Sequence, residues 1–490
     1  MVLPPTEIRI AIAVLSPLAG ALGVLIARKH PNVRETISCI AATATFLAVL
    51  SLIPAALGGT MTVVPVFSIL PGMSVTLRAD ALSMMFALVA SFLWILAVFY
   101  STGYMRGLKE HAQTRFHASF ALAIFGAMGV AFSNNLFTLF LFYEIVSITT
   151  YPLVAHHQDT EGYEGGKKYI AYLTAAAKFF LLPALVGVFM LAGSLDFATN
   201  IHTGILPKGS HRILVTVLYI FCILGFAKNG LMPLHGWLPG AMVAPTPVSA
   251  LLHAVAVVKV GVFATVRVML YVFGTDTMQA FNLGIPTAYC VSITILAASV
   301  IALSKDDLKA RLAYSTVSQL AYVILGAALL TTAGISGGIL QIASHAFAKI
   351  TLFFCAGAIF VATHRRKISE LNGLGRVMPF TFAAFAIASL SMIGVPPAGG
   401  FAVKWQLLIG TMAAGQPILL AVLLVSTLLN AAYFVPIVVR AFFGKPAEAP
   451  NGLREADLRM VIPLSITALL SLALGLYPDI FTPFLKAVLQ

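Results

Sequence analysis

Six basic residues, Lys178, Lys228, Lys259, Arg267, Lys349 and Lys404, interrupt stretches of the chain that are otherwise apolar. A single carboxylate, Glu144, lies comparably deep. On insertion scales a charge in the middle of a membrane helix costs about 2.5–3.5 kcal/mol, so such residues mark function by default. The chemistry open to them is reversible protonation. Desolvation disfavours a buried ammonium and a nearby carboxylate favours it, so moving or neutralising the carboxylate loads or releases a proton. Glu144 and Lys228 form the natural couple, and Tyr143, Ser147 and Thr150 can hold water beside the carboxylate. A static buried ion pair is the plainer reading, but such pairs add little to stability.

Lys259 follows His253 by six residues, a spacing that does not put them on one helical face. His345 and Lys349 are four apart and share a face. Histidine titrates near neutrality and suits a relay, although a histidine inside an apolar helix serves equally well as a hydrogen-bonded core residue. The set Glu144, Lys228, Lys259, Lys349 and Lys404, with His253, His345 and Lys178 beside it, therefore reads as a lateral chain of protonatable groups linked by water. Arg267, near the end of its stretch, can instead snorkel to the interface. Asp80 is placed to cap the helix that follows it. His156 and His157, with Asp159, Glu161 and Glu164 nearby, read as a solvated loop rather than a metal site; Asp306 and Asp307 with Lys305 and Lys309 read as a solvated charge cluster. His235 reads as a residue that positions backbone.

Prolines punctuate the same neighbourhoods. Pro233, Pro239, Pro245 and Pro247 follow Lys228, and Pro396 and Pro397 precede Lys404. Proline removes a donor and clashes with the preceding turn, so helices break or kink here. Backbone freed at membrane depth must line water or be buried in protein.

The elements that carry these residues follow from composition. Of 490 residues, 60% are hydrophobic and only 10% charged, against about 25% charged in soluble domains. That excludes a set of soluble domains and points to an all-α polytopic membrane protein. Fourteen apolar runs of about 20 residues are each long enough to cross the bilayer. The stretch Ile10–Ala27 is too long for a signal peptide core and reads as the first span.

The net charge of +13 is mostly orientation. Nineteen of the thirty Lys and Arg fall in loops after odd-numbered spans and five in the termini and even loops. The positive-inside rule puts the odd loops in the cytoplasm and both termini outside, in a cell (cytoplasmic) membrane. The excess therefore does not imply nucleic-acid binding. Cys39, Cys222, Cys290 and Cys355 sit in apolar runs without Cys-x-x-Cys spacing. With no haem, iron–sulfur or zinc pattern, no cofactor and no metal ligand set are expected.

The chain also repeats with an offset of 171 residues. Ala131, Ser133, Tyr143, Val146, Ser147 and Tyr151 meet Ala302, Ser304, Tyr314, Val317, Ser318 and Tyr322. Ala177-Lys178 meets Ala348-Lys349, and Phe189 meets Phe360. Four units follow: residues 1–114 with helices 1–3, 115–273 with helices 4–8, 274–445 with helices 9–13, and 446–490 with helix 14. Five spans is an odd number, so the second copy runs oppositely through the membrane, a transporter signature.

The run from Lys228 through Pro233, His235, Trp237, Pro239, Pro245 and Pro247 to His253, followed by Lys259-Val260-Gly261, resembles a known family. So do Tyr143-Glu144 and the segment Ala313–Tyr322. The family is that of the antiporter-like subunits shared by Mrp-type multisubunit cation/proton antiporters, respiratory complex I and membrane-bound hydrogenases. The resemblance covers essentially the whole chain. It implies fourteen core helices, inverted five-helix repeats and broken helices 7 and 12. It implies Glu144 and Lys228 as the coupled input pair, Lys259 as central relay, His345 and Lys349 on helix 11, and Lys404 as the exit-side group. Lys178 has no role in that pattern.

Lys404 departs from the complex I subunit that carries glutamate there, and the chain ends after helix 14, so a D-type Mrp subunit fits best. The expected function is proton translocation in a Mrp-type Na+(K+)/H+ antiporter. The alternative is the proton-pumping subunit of a complex I-like NADH/quinone oxidoreductase or a membrane-bound hydrogenase. Either way the expected partners are other membrane subunits, protons, Na+ or K+, and lipid. A membrane scaffold would instead leave the buried lysines replaceable.

Overall fold

A computed structural model describes residues 5–59, 61–70, 73–445 and 453–490, except for the side chains of residues 70, 252 and 253. Among the described residues fourteen apolar segments run as helices. They are α1 Thr6–Ile26, α2 Pro31–Leu57, α3 Ala81–Gly107, α4 Gln113–Ala131, α5 Leu136–Val154, α6 Thr160–Ala192, α7 Arg212–Gly225, α8 Val257–Ala280, α9 Gly284–Ser304, α10 Leu308–Ala328, α11 Thr332–Thr363, α12 Pro379–Ile393 with a second limb Gly400–Ala413, α13 Pro417–Phe443 and α14 Leu458–Leu476. A short α15, Thr482–Leu489, follows. Eleven of the fourteen are long and apolar enough to span a membrane by themselves. Each residue adds about 1.5 Å, so some 20 residues match a hydrocarbon core of about 30 Å.

Side-chain hydrogen bonds set where several helices begin. Asp80 accepts from the Ser83 backbone N–H at 2.9 Å, as expected. Asn135 caps α5 through Thr138, Asp159 caps α6 through Gly162 and Thr331 caps α11 through Gly334. Asp307 caps α10 through Ala310, and Asp306 accepts from the Ser369 backbone and hydroxyl. The Asp306–Asp307 pair is therefore structural rather than merely solvated. Each cap satisfies backbone donors that a helix start leaves orphaned.

The 171-residue offset also relates the bounds of three helix pairs. Helix α4, Gln113–Ala131, corresponds to α9, Gly284–Ser304; α5, Leu136–Val154, to α10, Leu308–Ala328; and α6, Thr160–Ala192, to α11, Thr332–Thr363. One departure marks the first copy: α6 contains a π-helical turn at Ala177–Leu181, where α11 is regular.

Helix α8 is enclosed over its whole apolar window, and α3, α4 and α11 over 78% of theirs, while α6 and α13 keep only a third inside. The centre of the bundle thus lies on α8, with α3, α4 and α11 next most enclosed.

Among the described residues, paired strands occur in one place. Strands β1 Val63–Leu70 and β2 Met73–Arg78 pair antiparallel between α2 and α3. The segment is rich in β-branched residues and too short to span, and the register slips beside Pro65, which cannot donate to a ladder.

Candidate functional site

The break after α7 positions the first lysine. Helix α7 stops at Gly225, a short turn Ala227–Asn229 carries Lys228, and Gly230 takes φ +74°. Asn229 steadies the turn by donating to the Thr265 hydroxyl at 3.3 Å. The turn seats directly on α8, because a Cβ on Gly261 would stand 2.2 Å from the Lys228 carbonyl carbon. Any side chain there would expel the break, which gives a physical reason for glycine two residues after Lys259.

Lys228 is fully buried. Its ammonium donates to the Tyr143 carbonyl at 2.9 Å and to the Ser147 hydroxyl at 2.6 Å, and lies 3.2 Å from the centre of the Tyr143 ring. The Lys228 backbone N–H donates to the Tyr143 hydroxyl at 3.1 Å. Glu144 is half-buried and does not touch Lys228 within 4 Å; the Ser147 hydroxyl stands between them, 3.5 Å from the Glu144 carboxylate. The expected couple is therefore a relay through one hydroxyl rather than a direct ion pair.

Lys259, buried on α8, meets His345 Nδ1 of α11 at 2.6 Å. Sequence spacing paired His345 with Lys349 instead. On the folded helix Lys349 turns to α10, donating to Ser315 Oγ at 2.5 Å and to the Leu312 carbonyl at 3.3 Å. Lys404 on the second limb of α12 donates to the Ile393 carbonyl at 2.6 Å, across the break, and to Thr427 of α13 at 3.0 Å. That carbonyl is free because α12 ends at Gly394, in the left-handed region with φ +86°. The Tyr322 ring of α10 lies 5.6 Å from the Lys404 ammonium. Element by element, the buried lysines and their partners lie on α5, the α7 break, α8, α11, α10 and α12.

Among the described residues no carboxylate comes within 4 Å of these four ammoniums. Their hydrogen-bond partners are carbonyls, hydroxyls and an imidazole. Such neutral acceptors hold an ammonium without supplying the opposite charge that would lock it there.

Other expected residues fall differently. Lys178 is exposed, on the π-helical turn of α6, so it is not a buried counterpart of Lys349. By the offset Lys178 and Glu144 correspond to Lys349 and Ser315; the second pair touches, whereas no ion pair joins the first within 4 Å among the described residues. The His253 side chain lies outside the described residues; its backbone belongs to the π-helical turn Leu251–Val255. Arg267 does not snorkel. It is fully buried and clamps Asp80 with contacts of 2.6 and 2.8 Å, a partner 187 residues away that no local spacing reveals.

Of the prolines, Pro233 lies in the irregular segment after Lys228, and Pro396 and Pro397 separate the limbs of α12. Pro239 instead sits inside the short helix Trp237–Gly240, while Pro245 and Pro247 start the helix Thr246–Ala250 and so initiate rather than interrupt. His235 is half-buried, and its carbonyl accepts from Leu238 in that turn. In the loop after α5, Asp159 is used as a cap and Glu164 reaches Lys167 at 3.9 Å, so neither joins His156.

Known proteins match this architecture. The family model described as NADH:quinone oxidoreductase/Mrp antiporter, TM, matches residues 133–430, and that described as NADH-Ubiquinone oxidoreductase (complex I), chain 5 N-terminus, matches residues 72–117. NADH-quinone oxidoreductase subunit N of Desulforudis audaxviator is 34% identical over 429 residues, 84% of this chain and 83% of the relative. Na(+)/H(+) antiporter subunit A1 of Staphylococcus aureus is 30% identical over 473 residues, 89% of this chain; the match spans 57% of that longer relative. Among solved structures, a chain of the Mrp complex from Dietzia sp. DQ12-45-1b superposes with a TM-score of 0.88 at 22% identity, covering 99% of this chain and 97% of that one. A chain of the membrane-bound sulfane sulfur reductase, an archaeal respiratory membrane complex, gives 0.87 at 23% identity, with 99% and 98% covered.

Proposed function

The chain belongs to the NADH:quinone oxidoreductase/Mrp antiporter family, and from that premise we propose that it is the proton-translocating subunit of a multisubunit Mrp-type Na+(K+)/H+ antiporter. The observation that carries this reading is the row Lys228, Lys259, Lys349 and Lys404, four buried ammoniums held by neutral partners, with half-buried Glu144 one hydroxyl from its start. A change in charge at Glu144 alters the cost of a proton on Lys228. In this reading a proton lost there is passed on through water toward Lys259, Lys349 and Lys404, the buried ammoniums further along the row. Two five-helix copies, read as an inverted pair, and the breaks after α7 and within α12 support this reading, because interrupted helices beside an inverted repeat are where transporters build ion sites.

A second reading has its own support. The match to a quinone oxidoreductase subunit covers 84% of this chain and 83% of the relative, whereas that to the antiporter subunit covers 89% of this chain but only 57% of the relative. In that reading the same row pumps protons under the drive of redox partner subunits. Mass spectrometry of the gently purified complex separates the two: small antiporter-like membrane subunits support the first, iron–sulfur or hydrogenase-like subunits the second. The shared mechanism is tested by Lys228→Ala, which is expected to abolish ion translocation in membrane vesicles while the complex still assembles on native gels. Full transport by the assembled variant would sink it.

A further inference from the structure

One cluster of ligating side chains plays no part in the lysine row. The loop between α3 and α4, residues 108–112, and the loop between α5 and α6, residues 155–159, meet at one end of the bundle. There Glu110, His111 and His156 each present one donor atom, all within 4.8 Å of one another. Glu110 Oε2 is their common centre, 3.9 Å from His111 Nδ1 and 3.8 Å from His156 Nε2, with His157 Nδ1 also 3.7 Å away. These separations are too long for hydrogen bonds. They lie close to the roughly 3.3 Å between neighbouring donors around a tetrahedral ion with 2.0–2.1 Å bonds.

His156 is the informative member. It has no exposed surface, and neither ring nitrogen makes a hydrogen bond of ordinary geometry among the described residues, although the His111 backbone lies close enough to act on the ring. A buried polar group without a partner costs about 1–3 kcal/mol, and an unoccupied ligand set is one reason to find it. The lone pair of a neutral imidazole is the donor that ligates metal. The loop is held in place by Arg115, which donates to the His156 carbonyl at 2.7 Å; its positive charge opposes a cation, and the Glu110 carboxylate offsets it.

We propose that Glu110, His111 and His156 form a binding site for a divalent transition-metal ion of the zinc class, with His157 or a water at the fourth position. Two imidazoles and a carboxylate suit Zn2+ or Co2+, whereas Mg2+ and Ca2+ prefer all-oxygen shells. Glu110 and His157 also line a cavity of about 460 Å3 that reaches Thr246, Asp307 and Lys309, so a bound ion ties two loops together at the edge of that cavity.

The test uses the full chain in its purified complex, stripped with chelator and titrated with Zn2+ alone and Co2+ alone. One ion bound per chain, with the visible absorption of nitrogen-ligated Co2+, is the expected result. His111→Ala and Glu110→Gln are each expected to weaken binding by at least about tenfold. Because His111 is exposed and Glu110 only half-buried, these variants avoid the folding risk of replacing His156. Glu164→Gln, in the same region but outside the cluster, should bind as the parent does. Zn2+ should raise the unfolding midpoint of the parent and not of His111→Ala. No saturable binding, or equal affinity in the parent and both cluster variants, overturns the site.

Discussion

Lys259 and Arg267 stand eight residues apart on α8, and neither is exposed, yet the protein treats their charges in opposite ways. Arg267 is clamped by both oxygens of Asp80 and by the Ser83 hydroxyl, lies 4.7 Å from the Tyr271 ring, and shares Asp80 with Arg78. Lys259 meets an imidazole. A guanidinium is always charged and its fork matches a carboxylate. An ammonium gives up its proton readily when desolvated and held by neutral groups. The middle of α8 is therefore an anchor whose charges stay in place, whereas its start carries the ammonium to which the proposed function assigns a charge that comes and goes. Burial of a cation is thus no guide to its role; the chemistry of its partners is.

The contrast can be broken at several points. Asp80→Ala should produce the largest effect, about 3–5 kcal/mol of destabilisation, because it strands a buried guanidinium and removes the cap of α3. Thermal unfolding of the purified complex reads this, and Asp80→Ala combined with Arg267→Met should recover most of the loss. An Asp80→Ala protein as stable as its parent would remove the distinction. Lys259→Met should do the reverse, cutting ion translocation to background while changing stability by less than about 1.5 kcal/mol, as volume-conserving core swaps do. His345→Ala should be milder in translocation, a loss of about 100-fold at most if it acts as a proton donor and acceptor, and should displace the pH profile of transport. An unshifted profile would make the Lys259–His345 contact structural.

A finer comparison sets Lys178 against Lys349, which share a register but not an environment. Lys178→Ala should leave stability within about 0.5 kcal/mol of the parent, as for other exposed positions. It should reduce translocation less than Lys349→Ala does, and equal losses would place both lysines in the path.

Much of this molecule was readable before folding. Apolar runs of about 20 residues announce the fourteen helices because a bilayer demands that length. The proline and glycine clusters after Lys228 and before Lys404 announce breaks because those residues cannot continue a helix. The repeat was read from a shared register, and the same offset relates the bounds of three helix pairs. Reading Pro239, Pro245 and Pro247 as breaks went too far, since proline also suits the first turn of a helix. The β1–β2 hairpin was missed because scanning for spans passes over a strand pair of 8 and 6 residues.

What chain chemistry alone established is the membrane class, the helices and the list of protonatable residues within them, because length, hydropathy and proline act locally. Tertiary structure decided which cation is paired. A transmembrane helix is apolar toward lipid and toward protein alike, so its pattern does not announce which face is inside. Lys178 therefore turned out exposed and Arg267 buried. Asp80 reaches Arg267 across 187 positions and His345 reaches Lys259 across 86, separations that only the packing of helices can close.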